Sequence, residues 1–179
     1  MVKSLIEFGK SILVAVIAAA FIILFVFETV SVDGTSMYST LQNNDRLIIE
    51  KVSYHFTFPQ KGDIIVFKCP SDTSKKFIKR VIAVQGDKVK ILDDKVYVNG
   101  TQLNEKYAYY MNKQVTDDLR VHNFDEKTVP QNTVFVLGDN RYNSLDSRFE
   151  NEVGFVNKKL IIGKEALRIY PFNKIGKVR

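Results

Sequence analysis

Ser36 lies two residues after Gly34 in the segment VDGTSMYSTL, residues 32–41. A serine hydroxyl is a weak nucleophile unless a nearby base takes its proton as it attacks. The chain has only two histidines. His122 has no partner at triad or metal-ligand spacing and His55 sits among aromatic residues, so both read as structural or exposed. Lysines and carboxylates remain as candidate bases. Lys79, in FIKRVIAVQGD at residues 77–87, is the lysine placed inside an apolar run. Strand alternation would put Phe77, Lys79, Val81 and Ala83 on one face and Ile78, Arg80, Ile82 and Val84 on the other. A solvated lysine, with a pKa of about 10.4, is almost wholly protonated near pH 7 and useless as a base. Desolvation disfavours the ammonium form and would make the neutral amine available. On an edge strand the same charge would only discourage aggregation.

A third segment, GDNRYNSLDSR at residues 138–148, is a dense polar loop. Its Asp, Asn and Ser content also suits a hydrated turn, and Asn140 and Asn143 read that way. Its carboxylates alternate with arginines that would repel a cation, and no histidine joins them, so no metal is expected. Acyl transfer needs donors for the developing oxyanion, and the Ser36 backbone N–H is the natural one.

Positioning these residues requires a β-rich body. Short runs rich in β-branched and aromatic residues alternate with Gly, Asp and Asn: RLIIEKV, GDIIVFKCP, FIKRVIAV, DKVKILDDKVYVNG, TVFVLGDN and LIIGKEALRIYPF. They predict a mainly β domain with hairpin turns at Asp93-Asp94 and Asn99-Gly100. Residues 103–131 show little periodicity and predict an inserted, irregular segment. Residues 11–27 carry no charge; together with Thr29 and Val30 they approach the roughly 20 residues a membrane-crossing helix needs. The expected organisation is a cytoplasmic stretch at 1–10, a transmembrane anchor at 11–30 and an extracytoplasmic domain at 31–179. Lys3 and Lys10 before the run, with Glu28 and Asp33 after it, keep the N-terminus in the cytoplasm. The single cysteine, Cys69, excludes an internal disulfide. The net charge of +6 comes from residues spread along the chain, which argues against nucleic acid and for weak attraction to anionic lipid.

The three segments, in this order, resemble type I signal peptidases, membrane-bound Ser-Lys proteases that remove signal peptides from exported preproteins. The resemblance runs from the anchor to IYPF and implies the β-rich catalytic fold shared with LexA. It implies that Ser36 is the nucleophile and Lys79 the general base, without a cofactor. It gives Ser144 the role of orienting the Lys79 amine, while Asp146 and Arg148 hold the loop as an ion pair and Asp139 faces Arg80. It also implies shallow pockets for small residues at substrate positions −1 and −3, with Val32, Met37, Leu41, Phe77 and Ile78 as candidate lining. Two departures matter. Ser39 stands where the family usually has proline, and Gly34 removes the side-chain oxyanion donor that some members carry there. The competing readings are a LexA-type self-cleaving protease, which would carry a DNA-binding module in place of the span, and a catalytically silent assembly chaperone, which would lack the serine or the lysine. Oligomeric state is left open.

Overall fold

The computed structural model describes residues 2–110 and 121–178. One long helix, α1 (Val2–Phe25), leads into strands β1 (Phe27–Ser31) and β2 (Arg46–Glu50) and a short helix α2 (Ser53–Phe56). Strands β3 (Ile64–Lys68), β4 (Lys76–Val84), β5 (Lys88–Leu92), β6 (Lys95–Val98) and β7 (Thr101–Gln102) follow. Then come β8 (Phe124–Thr128), β9 (Thr133–Leu137), β10 (Val156–Asn157) and β11 (Ile161–Tyr170). They form two antiparallel sheets, one of seven strands in the order β1-β2-β11-β3-β4-β9-β10 and one of four in the order β7-β6-β5-β8. The mainly β expectation is met.

The turn chemistry is met too. Asp93 and Asp94 (φ 47° and 66°) join β5 to β6, and Asn99 and Gly100 (φ 53° and 78°) join β6 to β7. Two central residues with positive φ make the tight hairpin whose twist matches its strands, which is why Asn, Asp and Gly occupy it.

Two apolar clusters hold the large sheet and a third joins the sheets. Val32, Met37, Leu41, Leu47, Ile49, Ile64 and Val66 pack beneath the Ser36 turn. Ile65, Phe67, Val81, Val134, Val136 and Val156 fill a second cluster. Ile82, Ala83, Val89, Ile91, Phe124, Phe135 and Leu137 join the two sheets. Fully burying one such side chain is worth about 1.5–3 kcal/mol, so these contacts fix where β4 runs.

Three boundaries differ from expectation. Strand β4 does not alternate through Val84: its register against β9 shifts between Val81 and Ala83. Ile82 and Ala83 both enter the inter-sheet cluster, whereas Val81 and Val84 pack in the second one. A bulge inserts one residue and flips the faces beyond it, and the alternation expected on residues 77–81 is untouched. Helix α1 ends at Phe25 because residues 27–31 pair with β2, from Phe27 against Glu50 to Ser31 against Arg46. Residues 27–30 are therefore sheet rather than anchor. Among the described residues no helix is long and apolar enough to cross a membrane. Finally, residues 124–128 are not irregular: they form β8 and pair with β5. Residues 111–120 of the expected insertion lie outside the described residues.

Candidate active site

Ser36 and Lys79 are 43 positions apart in sequence, and the fold brings them into contact: Lys79 Nζ donates to Ser36 Oγ at 2.8 Å and to the Ile78 carbonyl at 3.1 Å. Lys79 reaches this place because β4 is fixed on both sides, by β3 through the pair Lys79↔Ile65 and by β9 from Arg80 onward. Its side chain is 4% exposed, and among the described residues it forms no ion pair. Its ammonium lies 5.2 Å from the Phe77 ring centre. Burial pulls the Lys79 pKa down to about 8, opposed chiefly by the negative charge of Asp146. A substantial fraction of neutral amine is then present near neutrality, which a surface lysine cannot offer.

Ser36 occupies the turn between β1 and β2, and the loop after β9 clamps that turn. The Asn140 N–H donates to the Ser36 carbonyl at 3.0 Å, Asn140 Nδ2 to the Thr35 carbonyl at 3.1 Å, and Asn143 Nδ2 to Thr35 Oγ1 at 2.9 Å. These asparagines, read from sequence as ordinary turn residues, hold the Thr35–Ser36 backbone. A hydrated turn and a clamp share one composition, so only the spatial meeting of loops separates them. Gly138 was missed as well. A Cβ there would collide with Ser144 Oγ and the Ser36 carbonyl oxygen, so the close approach of the loop demands glycine.

Two buried ion pairs brace this arrangement. Arg148 grips Asp146 with Nε to Oδ1 at 2.8 Å and Nη2 to Oδ2 at 2.9 Å, and Gly138 N–H donates to Asp146 Oδ2 at 3.0 Å. Burial pushes the Asp146 carboxyl up, but the Arg148 charge and these donors outweigh it and leave it lowered. Arg80 grips Asp139 in the same bidentate way, at 2.9 and 2.8 Å, and its guanidinium stacks 4.1 Å from the Tyr107 ring centre. The expected Asp146–Arg148 and Asp139–Arg80 pairs are both present. Ser144 is buried beside Asp146, whose carboxyl it helps hold low, but its Oγ falls short of a full hydrogen bond and makes none to Lys79. The expected Ser144–Lys79 contact is absent from this geometry. Cys69 is buried just past the end of β3, as a free thiol near Ser71 Oγ and the Glu152 carbonyl.

A groove of about 420 Å³ opens onto Ser36 and Lys79. Four of the five expected lining residues, Val32, Met37, Phe77 and Ile78, do line it, and Leu41 does not. Leu41 is fully buried in the cluster beneath the turn, where the return of the chain toward β2 points its side chain inward. Val30, Val66 and Leu145 complete the apolar wall. The Ser36 backbone N–H has no acceptor among the described residues.

The clamped turn thus sets a serine hydroxyl in hydrogen-bond contact with a desolvated lysine amine, the pairing of a hydroxyl with a group that could take its proton. The family model for "Signal peptidase, peptidase S26" matches residues 5–170. Signal peptidase I S of Bacillus subtilis (strain 168) is 37% identical over 98% of this chain and 94% of its own length. Signal peptidase I of Leptolyngbya laminosa is 40% identical over 97% and 84% respectively. A crystal structure of a signal peptidase I from Enterococcus faecalis V583, 32% identical, covers 60% of this chain and 97% of its own, with a TM-score of 0.48. This chain belongs to the signal peptidase, peptidase S26, family.

Proposed function

We propose that this chain is a membrane-anchored serine endopeptidase that removes N-terminal signal peptides from exported preproteins, using a Ser36 nucleophile and a Lys79 general base. The observation that carries the reading is the 2.8 Å approach of Lys79 Nζ to Ser36 Oγ at a lysine whose pKa is drawn down to about 8. Neutral Lys79 accepts the Ser36 proton as Oγ attacks the scissile carbonyl. The Ser36 N–H donates to the oxyanion. The ammonium then returns that proton to the departing amine as the C–N bond breaks. In the second half, Lys79 takes a proton from the water that attacks the acyl-enzyme and gives it back to Ser36 Oγ. The Asp146–Arg148 and Asp139–Arg80 pairs hold the loop and strand that set this geometry.

An extended peptide fits the groove as an added strand, its main chain bonding to the walls and alternate side chains entering them. Val32, Met37, Phe77 and Ile78 make shallow apolar walls suited to small residues at positions −1 and −3. We assign the anchor to α1, whose uncharged stretch, residues 11–25, by itself falls short of the roughly 20 residues of a full crossing, and whose Ile12, Leu13, Val14, Val16, Ile17 and Phe25 are half or more exposed. So many outward apolar side chains on one helix need an apolar surrounding. Anchor and signal peptide then meet in one bilayer, which raises their effective concentration, with the N-terminus cytoplasmic and the β domain outside. That Ser36 and Lys79 both remain, face to face, favours an active peptidase over a silent chaperone. The test is cleavage of an exported preprotein, with alanine at −1 and −3, by the full-length chain in detergent. Wild type should release one mature N-terminus and Ser36→Ala none, with chelator having no effect. Equal cleavage by Ser36→Ala would reject the nucleophile.

A further inference from the structure

The groove has two ends. At the reacting end stand Ser36 and Lys79; at the other, Lys76 Nζ on β4 reaches Glu28 Oε1 on β1 at 3.0 Å. Strands β1 and β4 are not neighbours, for β2, β11 and β3 lie between them in the sheet. The sheet coils until the first strand and the start of β4 face each other across the groove, whose lining takes residues 30–37 from one wall and Lys76, Phe77 and Ile78 from the other. Glu28 lies two residues before Val30 on the first wall and also has Lys51 Nζ at 3.9 Å. The pair therefore bridges two walls that share no backbone hydrogen bond.

From this juxtaposition we propose that Glu28 and Lys76 form an ionic strap across the upstream end of the groove, and that the strap sets which charges the substrate is allowed there. The proposal rests on the peptidase reading given above. Both walls run in one direction, from Glu28 toward Ser36 and from Lys76 toward Lys79. The Glu28 end is also where β1 emerges from α1. A peptide whose apolar segment lies alongside α1 must place the residues before its scissile bond at that end. Lys76 lies three residues from Lys79, roughly 10 Å along a strand at about 3.3 Å per residue, so with Lys79 beside the first substrate residue before the cut the strap sits over about the fourth. With both partners engaged, neither charge is left over to recruit a substrate side chain. An acidic substrate residue must compete with Glu28 for Lys76, and a basic one must compete with Lys76 for Glu28.

The test uses full-length enzyme in detergent and three preproteins that differ only in carrying Ala, Asp or Lys at the fourth residue before the cut. The readout is the ratio of kcat/KM for the Lys form to that for the Asp form. Both side chains of the strap are partly solvated (51% and 33% exposed), so the expected effect is modest, about three- to fivefold. Lys76→Gln leaves Glu28 with only the longer Lys51 contact at 3.9 Å and should raise the ratio by up to that factor; Glu28→Gln frees Lys76 and should lower it by the full factor. The double exchange Glu28→Lys with Lys76→Glu rebuilds the bridge and should return the ratio toward wild type. Both shifts should vanish at about 1 M salt, where the Debye length is about 3 Å. Ratios equal in all four enzymes, with the Ala form still cleaved, would overturn the strap alone. Failure of wild type to cleave any of the three would overturn the peptidase reading and the strap with it.

Discussion

Two adjacent cations on β4, Lys79 and Arg80, are buried to nearly the same degree, at 4% and 5% exposed, and the protein treats them in opposite ways. Arg80 is neutralised: both ends of its fork meet Asp139, its Nη1 donates to the Gly62 carbonyl at 3.1 Å, and Tyr107 covers its face. Lys79 is left without an ion-pair partner among the described residues and is given a serine hydroxyl in place of a carboxylate. Burial with a bidentate partner keeps a charge permanently, whereas burial without one makes the charge easy to lose. Neighbouring positions on one strand thus serve as a fixed brace and, in the proposed mechanism, a proton acceptor. Which of the two a cation becomes depends on what the facing loop offers, Asp139 on one side and the Ser36 turn on the other.

The largest expected effect lies on the Lys79 face. Lys79→Arg and Lys79→Met should each lower kcat/KM for preprotein cleavage by at least about 10³-fold, since nucleophile and base act as a unit and guanidinium supplies no neutral amine. Their stabilities should diverge. Because the folded pKa of Lys79 lies below its unfolded value, the unfolded chain binds the extra proton between pH about 8 and the solvated value. Lys79 therefore costs stability below pH 8, and the cost is relieved as pH rises through that window. Removing the charge in Lys79→Met should raise stability at pH 7 by about 1–3 kcal/mol, read by thermal melting. A destabilised Lys79→Met would mean that the ammonium is paired after all.

On the Arg80 face the sign reverses. Asp139→Ala leaves a buried guanidinium unmatched and should cost about 3–5 kcal/mol of stability, a fall in Tm of roughly 6–20 °C. A fall of only a degree or two would show that Arg80 finds water or another acceptor, and the contrast between the two cations would collapse.

The pH dependence sharpens the contrast further. Cleavage should rise with pH as Lys79 deprotonates, falling about tenfold per pH unit well below a midpoint near pH 8. Asp139 holds the Lys79 ammonium form up, so Asp139→Asn should move the midpoint to lower pH in whatever fraction remains folded. A shift upward would place the titrating group elsewhere.

Much of this contrast was legible in the sequence. An apolar strand carrying KR, followed by a loop carrying Asp139, Asp146 and Arg148, fixes which charges are available. Residues 77–81 alternate as a simple strand should. The hairpin turns at Asp93-Asp94 and Asn99-Gly100 were legible because positive φ is a local demand that local residues meet. Features set by distant contacts were not. The bulge at Ile82 leaves no mark, because Ile, Ala and Val suit either face. Leu41 looks like any apolar residue near a nucleophile until the turn after Ser36 directs it into the core. Asn140, Asn143 and Gly138 gain their importance only when the loop after β9 lies against the Ser36 turn, more than 100 positions earlier in the chain for the two asparagine contacts to Thr35. The pairing of Glu28 with Lys76 depends on the coiling of a whole sheet.

The smallest expected effect tests whether the Arg80 brace is sealed off from the chemistry. Tyr107 lies over the Arg80 guanidinium at 4.1 Å, and its hydroxyl donates to Glu105 Oε1 at 3.1 Å. Glu105 itself forms a buried pair with Arg141, with Nη2 to Oε1 at 2.6 Å, so the hydroxyl bond is a minor addition to an acceptor already satisfied. Tyr107→Phe keeps the ring and should leave stability within about 0.5 kcal/mol. Tyr107→Leu removes the aromatic face while retaining apolar bulk, and should cost about 0.5–2 kcal/mol, the range of a cation–π contact as it becomes desolvated. Neither substitution alters a charge beside Lys79, so the pH midpoint of cleavage should stay where it is in both. If Tyr107→Leu moved that midpoint while leaving the Tm unchanged, the ring would be acting on Lys79 through the β4 backbone, and the two cations would be one coupled unit rather than two independent uses of the same strand.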